Sequence, residues 1–276
     1  MKKDNLVRIG KSLLQHGKHN DRIYILKMAP DDGEIIFDSI EKLQEKYSYG
    51  KIIGKIPESI SSLFEKKGFI REAWIEGFFQ RKENVFFMSK FFDLKRSKDQ
   101  KNEVIPDKKN IFETTHHTVF PIKNLTGKDV FSLKKLYRKV FKTYPFPVHS
   151  AFYLYQTMRN NVFYSGIYDR GKLIAAASAE TDFKNLNAEM TDFAVLPEYR
   201  KKGLASLLLS HLEKRMAPKG IQTFYTIARS ASYGMNQVFA SASYLFSGKL
   251  INNTEINGSI ENMNVWFKNY SPETNF

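Results

Sequence analysis

The stretch FAVLPEYRKKGLASLLLSHLEKR, Phe193 to Arg215, constrains the fold more than any other part of the chain. An apolar run ends at a proline and a leucine-rich segment of helical spacing follows, so a strand hands over to a helix within a few residues. Arg200, Lys201, Lys202, Gly203, Leu204 and Ala205 fill the junction. A helix N-terminus leaves backbone N–H groups unpaired and carries roughly half a positive charge, which suits an anion. Gly203 lets the backbone come close to a bulky anion such as a pyrophosphate. Ala205 keeps the next turn low, and the Arg-Lys-Lys run adds positive potential. Beyond the junction Ala205, Leu208, Leu212 and Met216 form one stripe, with Leu204 and Leu207 beside it. That stripe predicts the helix face that packs on a sheet. Taken alone, RKKGLA also fits an ordinary glycine near a helix start with solvated lysines.

The 276 residues suffice for one large domain or two modest ones. A formal net charge of +14 attracts nucleic acid, acidic lipid or a phosphorylated cofactor, or is a solvated basic surface. The absence of cysteine excludes disulfides, thiolate metal sites and a cysteine nucleophile, and fits a cytoplasmic location. No apolar run approaches the roughly 20 residues of a membrane span. The basic N-terminus lacks an apolar signal core, so no membrane association is expected.

Strands and helices alternate along the chain. RIYILKM (22–28) predicts a strand, 31–47 a helix, KIIGKIP a strand, and ESISSLFEKKGF a helix stopped by Gly68. IREAWIEGFF and NVFFMSKFF follow as strands, and the charged segment 93–110 reads as an exposed linker. The rest is a second αβ unit. Helices are expected through GKDVFSLKKLYRKVFKTY and SAFYLYQTMRNN, then strands VFYSGIY, LIAAASAE and NAEMTDFAV. After the Arg200 junction come strand TFYTIAR, helix SYGMNQVFASAS, and strands near LFSGKLI and NVWFKNY.

The order strand, proline, arginine, glycine, small residue resembles the acetyl-CoA motif of the Gcn5-related N-acetyltransferase superfamily, Arg/Gln-x-x-Gly-x-Gly/Ala. The resemblance implies that amides of this turn hold the pyrophosphate of acetyl-CoA. It also implies that the preceding strand splays from its neighbour, leaving the backbone of Phe193, Ala194 and Val195 to pair with the pantetheine arm. TYPFPV, AAASAETD, NAEMTDFAVLPEYR, YTIARSASYGMN and GKLINNTEINGSIENMNVWFK, with NDRIYILKM, KIIGKIPESI and REAWIEGFF, are similar to the β-lysine N-acetyltransferase family over nearly the whole chain. The family implies transfer of acetyl to the distal (ε) amine of β-lysine, a product serving as a compatible solute, and a pathway link to lysine 2,3-aminomutase. The expected fold is α/β with a mixed, splayed central sheet in a catalytic domain at 117–276. A linker at 106–116 and a smaller αβ domain at 1–105 precede it.

A lysine-like amine has a pKa near 10.4, so freeing it at pH 7 costs roughly 4.6 kcal/mol. Glu189 is the first candidate base. It precedes Arg200 by the spacing of the catalytic glutamate in the superfamily's histone acetyltransferases, and by period-2 alternation it shares a face with Thr191, Phe193 and Val195. It serves equally well as a carboxylate that only binds ammonium. Glu180, Asp182 and Asp192 are candidates for holding ammonium and Arg229 for holding the substrate carboxylate; each also fits a plain salt bridge. Asn236 resembles the family asparagine near the pantetheine arm, or caps a helix. Many superfamily members carry a tyrosine that protonates the leaving thiolate, four residues before a Gly-Phe pair. Here Ser243-Tyr244 stands for that pair and Phe239 for the tyrosine, leaving an unaided thiolate, Tyr233 or Tyr244 as the alternatives.

LFEKKGF (63–69) resembles the same helix end, with Phe64 four residues before Gly68. The first third therefore reads as a degenerate half-copy of the acetyltransferase fold, without a cofactor turn, or as an unrelated αβ domain. Other readings of the whole chain are an acetyltransferase for α-lysine, a polyamine or protein lysine, and a basic nucleic-acid-binding module on an inactive fold. The basic residues are dispersed and not interleaved with aromatics, so no nucleic acid is expected. No metal is expected either, since the adjacent His116 and His117 on an extended segment point to opposite sides.

Overall fold

The computed structural model describes residues 4–99, 101, 103–106 and 120–270, so His116 and His117 lie outside the described residues. The chain divides into two compact units.

The first unit comprises Met1–Val104 with Arg229–Ala231 and Ser247–Val265. Its sheet is built from β1 (Asn5–Ile9), β2 (Ser12–Gly17), β3 (Arg22–Lys27), β4 (Lys51–Pro57), β5 (Ile70–Phe79) and β6 (Glu83–Phe91), in the order β1-β2-β3-β4-β6-β5. Only β3 and β4 run parallel. Helices α1 (Gly33–Tyr47) and α2 (Ser61–Lys66) supply Ile36, Phe37, Ile40 and Phe64 to a core with Ile23, Ile25, Ile52, Phe86 and Met88. Strands β1 and β2 are not visible as a period-2 pattern, because β2 buries Ser12, Gln15 and His16 alongside Leu14. The imidazole of His16 meets the Tyr49 hydroxyl at 2.8 Å, which makes its burial tolerable. Buried polar side chains explain why 247–265 clusters with this unit. Glu72 accepts from the Ile251 N–H (2.7 Å), and Lys51 donates to the Ile251 carbonyl (2.8 Å) while pairing with Glu72. Burial pushes the Lys51 ammonium down to about 8 in spite of that partner.

The second unit contains β7 (Ile122–Asn124), α3 (Val130–Val140), α4 (Ala151–Arg159), β8 (Val162–Asp169), β9 (Lys172–Asp182), β10 (Asn187–Val195), α5 (Leu204–Met216), β11 (Thr223–Arg229) and α6 (Tyr233–Ser241). With β12 (Leu245–Ile256) and β13 (Ser259–Asn269) the strands order as β12-β13-β11-β10-β9-β8-β7. Helix α3 starts behind a Thr126–Asp129 capping box and stops at Phe141, which turns extended ahead of Pro145 and Pro147; the predicted helix is shortened accordingly. Four fully buried alanines of β9, Ala175, Ala176, Ala177 and Ala179, let helices close on both faces of the sheet. One face carries α3 and α4, whose Thr157 meets the Tyr164 hydroxyl at 3.0 Å. The other carries α5, whose Arg215 reaches Ser165 Oγ at 3.4 Å. On α5 the buried set is Leu204, Leu208, Leu209, Leu212 and Met216, while Leu207 is 43% exposed. Leu209 therefore takes the place that the predicted stripe gave to Leu207.

Removing β7, α3 and α4 leaves β8-β9-β10-β11-β13-β12 with α5 and α6, the same order as β1-β2-β3-β4-β6-β5 with α1 and α2. The central pair is parallel in each. The ends of α2 and α6 repeat in detail. Phe69 N–H donates to Phe64 O across left-handed Gly68, and Tyr244 N–H donates to Phe239 O across left-handed Ser243. Both Phe–aromatic pairs sit edge to face at 5.2 Å. The repeat thus extends to eight elements, further than LFEKKGF alone indicates.

Candidate active site

Strand β10 pairs with β11 only through Asn187–Glu189, opposite Thr223–Tyr225. On its other edge β10 stays paired with β9 to Val195. Past Glu189 the parallel ladder ends, and one backbone edge of β10, including Phe193, Ala194 and Val195, is released from β11. A one-residue bulge interrupts the β9 ladder between Thr191 and Ala194, with Asp192 at φ +55°. The bulge resets the alternation. Glu180, Ser178 and Ala176 stand opposite Glu189, Thr191 and Ala194, so Ala194, not Phe193 or Val195, continues the face of Glu189. Phe193 instead sets its ring edge-on to buried Phe239, at 5.7 Å.

Beyond Val195 a short 3-10 turn (Pro197–Tyr199) leads to Arg200, then to Lys201 at φ +61° and Gly203 at φ +71°. A left-handed conformation costs an L-residue about 1–2 kcal/mol, which accounts for glycine at 203. Gly203 caps α5 without a side chain, and no acidic residue stands in the first turn of the helix. The first amides of α5 have no intrahelical acceptor. Arg200 is exposed and donates to Val195 O (3.4 Å), while the Lys202 ammonium lies 5.0 Å from the Tyr199 ring centroid. A bare, basic helix start next to a released strand edge fits the pyrophosphate and pantetheine parts of acetyl-CoA. The equivalent junction of the first unit is opposite in charge: Asp31 and Asp32 precede α1, and Asp32 accepts from Ser12 Oγ (2.7 Å) and Lys11 N–H (2.8 Å). The Ser12 hydroxyl bond holds that carboxyl below its usual range, so it stays ionised and repels phosphate.

The face under α3 and α4 concentrates carboxylates. Glu189 and Glu180 are direct cross-strand partners, a placement that brings Cβ atoms to about 4.5–5.5 Å and is unfavourable for like charges. A cation between them relieves it. Asp192, at the bulge, accepts from the hydroxyls of Tyr144 and Ser178 (2.8 Å for the latter). Burial raises its carboxyl above the usual range, and the two hydrogen bonds offset only part of that. Part of the residue's surface reaches solvent, while each carboxylate oxygen has a protein donor. Tyr137, Tyr144, Tyr153 and Tyr164 surround this acid; burial first, and then the Asp192 charge, push each phenol upward. They therefore remain protonated donors near neutral pH. The Tyr137 hydroxyl is buried and has no hydrogen-bond partner among the described residues. Tyr144 and Ser178 lie in the family-like stretches TYPFPV and AAASAETD, but no spacing within those stretches or around Tyr137, Tyr153 and Tyr164 assigns any of the five to the site, so the sequence reading missed them.

The other predicted site residues have partners of their own. Asp182 caps the β9–β10 turn, accepting from the backbone of Lys184 and Asn185 and from the Asn185 side chain. Arg229 makes a two-pronged pair with Glu261, at 2.8 and 2.7 Å, and a substrate carboxylate would have to displace that partner. Asn236 is fully buried, donating to Ser232 O and accepting from Trp266 Nε1 (both 2.9 Å), which explains it as a core bridge. Phe239 is core, and Tyr244 is buried beside it, its phenol pushed well up by burial and by Glu213. Tyr233, at the start of α6, is 44% exposed.

The fold and the glycine turn define an acetyl-CoA-dependent N-acetyltransferase, and the model of the acetyltransferase (GNAT) family matches residues 131–239. Relatives extend the match to nearly the whole chain. A β-lysine N(6)-acetyltransferase of Methanococcus maripaludis is 42% identical over 96% of this chain and 98% of its own length. The N-acetyltransferase YodP of Bacillus subtilis is 33% identical over 93% and 95%, and a β-lysine N(6)-acetyltransferase of Methanosarcina mazei is 34% identical over 63% and 66%. The chain belongs to the β-lysine N-acetyltransferase family.

Proposed function

We propose that the chain transfers acetyl from acetyl-CoA to the distal amine of β-lysine, giving Nε-acetyl-β-lysine for use as a compatible solute in the cytoplasm. Identity of 42% over almost the full length to a protein of that name carries the substrate. Three carboxylates on one face support a diamine. Among the described residues no helix is long and apolar enough to cross a membrane. An enzyme that shifts the α-amino group of lysine to the neighbouring carbon, such as lysine 2,3-aminomutase, must supply the substrate.

In this reading the amides of Gly203, Leu204 and Ala205, with Arg200, Lys201 and Lys202, hold the pyrophosphate, and the backbone of Phe193 to Val195 lines the pantetheine arm. Acetyl-CoA supplies the activated thioester carbonyl. Glu189 takes the proton that the distal ammonium must lose, while Glu180 and Asp192 hold positive charge on the substrate. With Phe239 where a tyrosine would donate, the thiolate leaves unaided, which its cysteine-like pKa allows. Asn236, Asp182 and Arg229 are outside this set because their polar atoms serve the fold.

The test is acetyl-CoA turnover over β-lysine, α-lysine, ornithine, polyamines and a lysine peptide. The highest kcat/KM is expected for β-lysine; a preference for the peptide would overturn the reading.

A further inference from the structure

A substrate carboxylate in line with Glu180 and Glu189 is held most strongly by a guanidinium or ammonium at the end of that row. Arg229 is committed to Glu261, so the cation must come from elsewhere. The row itself indicates where. Val162 of β8 is the cross-strand partner of Glu180, which is the partner of Glu189, so Val162, Glu180 and Glu189 follow one another across three strands on one face. Val162 also lines a groove with Tyr155, Met158, Arg159 and Arg215. Among the described residues neither arginine pairs with a carboxylate. Arg215 comes from α5 on the opposite face, and it is tied to Tyr164 O (2.9 Å) and stacked over Phe163. Arg159 comes from α4, which covers the acidic face. Its guanidinium only grazes its own helix neighbour Tyr155, at 3.5 Å from the hydroxyl and 5.9 Å from the ring centroid.

We propose that Arg159 is the carboxylate anchor of the amine substrate and thereby selects a diamino acid over a plain diamine. This rests on the β-lysine reading. The spacing agrees with it. Neighbouring strands lie about 4.8 Å apart, and the two nitrogens of extended β-lysine are about 5–6 Å apart, with the carboxylate carbon roughly 7–8 Å from the distal nitrogen. With the distal amine at Glu189, the second ammonium falls at Glu180, and the carboxylate falls beyond it on the Val162 side, within the groove of Arg159. Planar guanidinium meets carboxylate through two parallel hydrogen bonds, a geometry lysine cannot copy.

The experiment compares each diamino acid with its decarboxylated form: β-lysine with 1,4-diaminopentane, and α-lysine with 1,5-diaminopentane. Wild-type turnover of β-lysine tests the substrate reading by itself; if α-lysine is the amine turned over, the anchor is read from the second pair. Wild-type protein is expected to prefer the carboxylated member. Arg159→Gln should cut that preference roughly 10- to 150-fold, the loss of a hydrogen bond to a charged group, mainly through KM of the diamino acid. Arg159→Lys should restore only part of it. Because Arg159 is exposed, the melting temperature should not move. An unchanged preference in Arg159→Gln, an equal loss on both members of the pair, or a wild type that prefers the plain diamine would each overturn the assignment.

Discussion

Replacing Glu189 by glutamine keeps the shape of the side chain and removes its charge. At pH 7 the distal amine of free substrate sits about 3.4 pH units below its pKa, roughly 4.6 kcal/mol of deprotonation cost. A positioned base contributes about 10²–10⁴-fold, a large share of that cost. The structure adds a constraint on how the loss divides between parameters. Glu180 stands directly opposite and remains in Glu189→Gln, so an ammonium still has a carboxylate on the same face. The variant should therefore lose about 10²–10⁴-fold in kcat at pH 7 with a much smaller change in KM. With each unit of rising pH about ten times more substrate arrives unprotonated, so the deficit should shrink toward pH 10. Initial rates of thiol release at saturating acetyl-CoA from pH 7 to pH 10 measure this. A constant ratio of wild-type to variant activity over that range would refute Glu189 as the base and leave it a binding group.

Gly203→Val forces a branched residue into φ +71° at the mouth of α5. It should cost about 1–2 kcal/mol of stability and weaken acetyl-CoA binding at least about tenfold by calorimetry; unchanged binding in folded protein would remove this turn from the site. Asp192→Asn removes an acid whose carboxyl is raised in the folded state by burial. A raised folded pKa means that its stabilising contribution is complete below the unfolded value near 3.9 and is lost as pH climbs through the folded one. The variant should therefore gain melting temperature over wild type on going from about pH 4 toward neutrality, while its KM for the amine rises about 10- to 100-fold. A pH-independent difference in melting temperature would contradict the assignment. Titration of the full chain with acetyl-CoA should give one site per chain, because Asp31 and Asp32 occupy the helix start that would form a second. A stoichiometry of two would count against the inactive repeat.

Local chemistry was legible where one segment carries it. The Pro197–Gly203 junction, the alternation of strands and helices, and the Phe64 and Phe239 helix ends all follow from short-range pattern. What escaped depends on other strands. The bulge at Asp192 has no residue signature, yet it moves Ala194 onto the face of Glu189. Strand β2 hid because Ser12 and His16, buried beside Leu14, are polar and find partners only after folding. Arg229 looked available until the chain brought Glu261 to it from across 32 residues. The tyrosines around Asp192 come from α3, α4, β8 and the segment between the two helices, and only the packed sheet gathers them.

Acetyl transfer to the distal amine of β-lysine is tested most directly by locating the new bond. Acetyl-CoA labelled with carbon-13 at the carbonyl, incubated with β-lysine and the full chain, should give a single amide whose carbonyl couples through nitrogen to the terminal methylene, with stoichiometric thiol release. An amide on the nitrogen nearer the carboxylate, or label recovered only as acetate, would contradict the account.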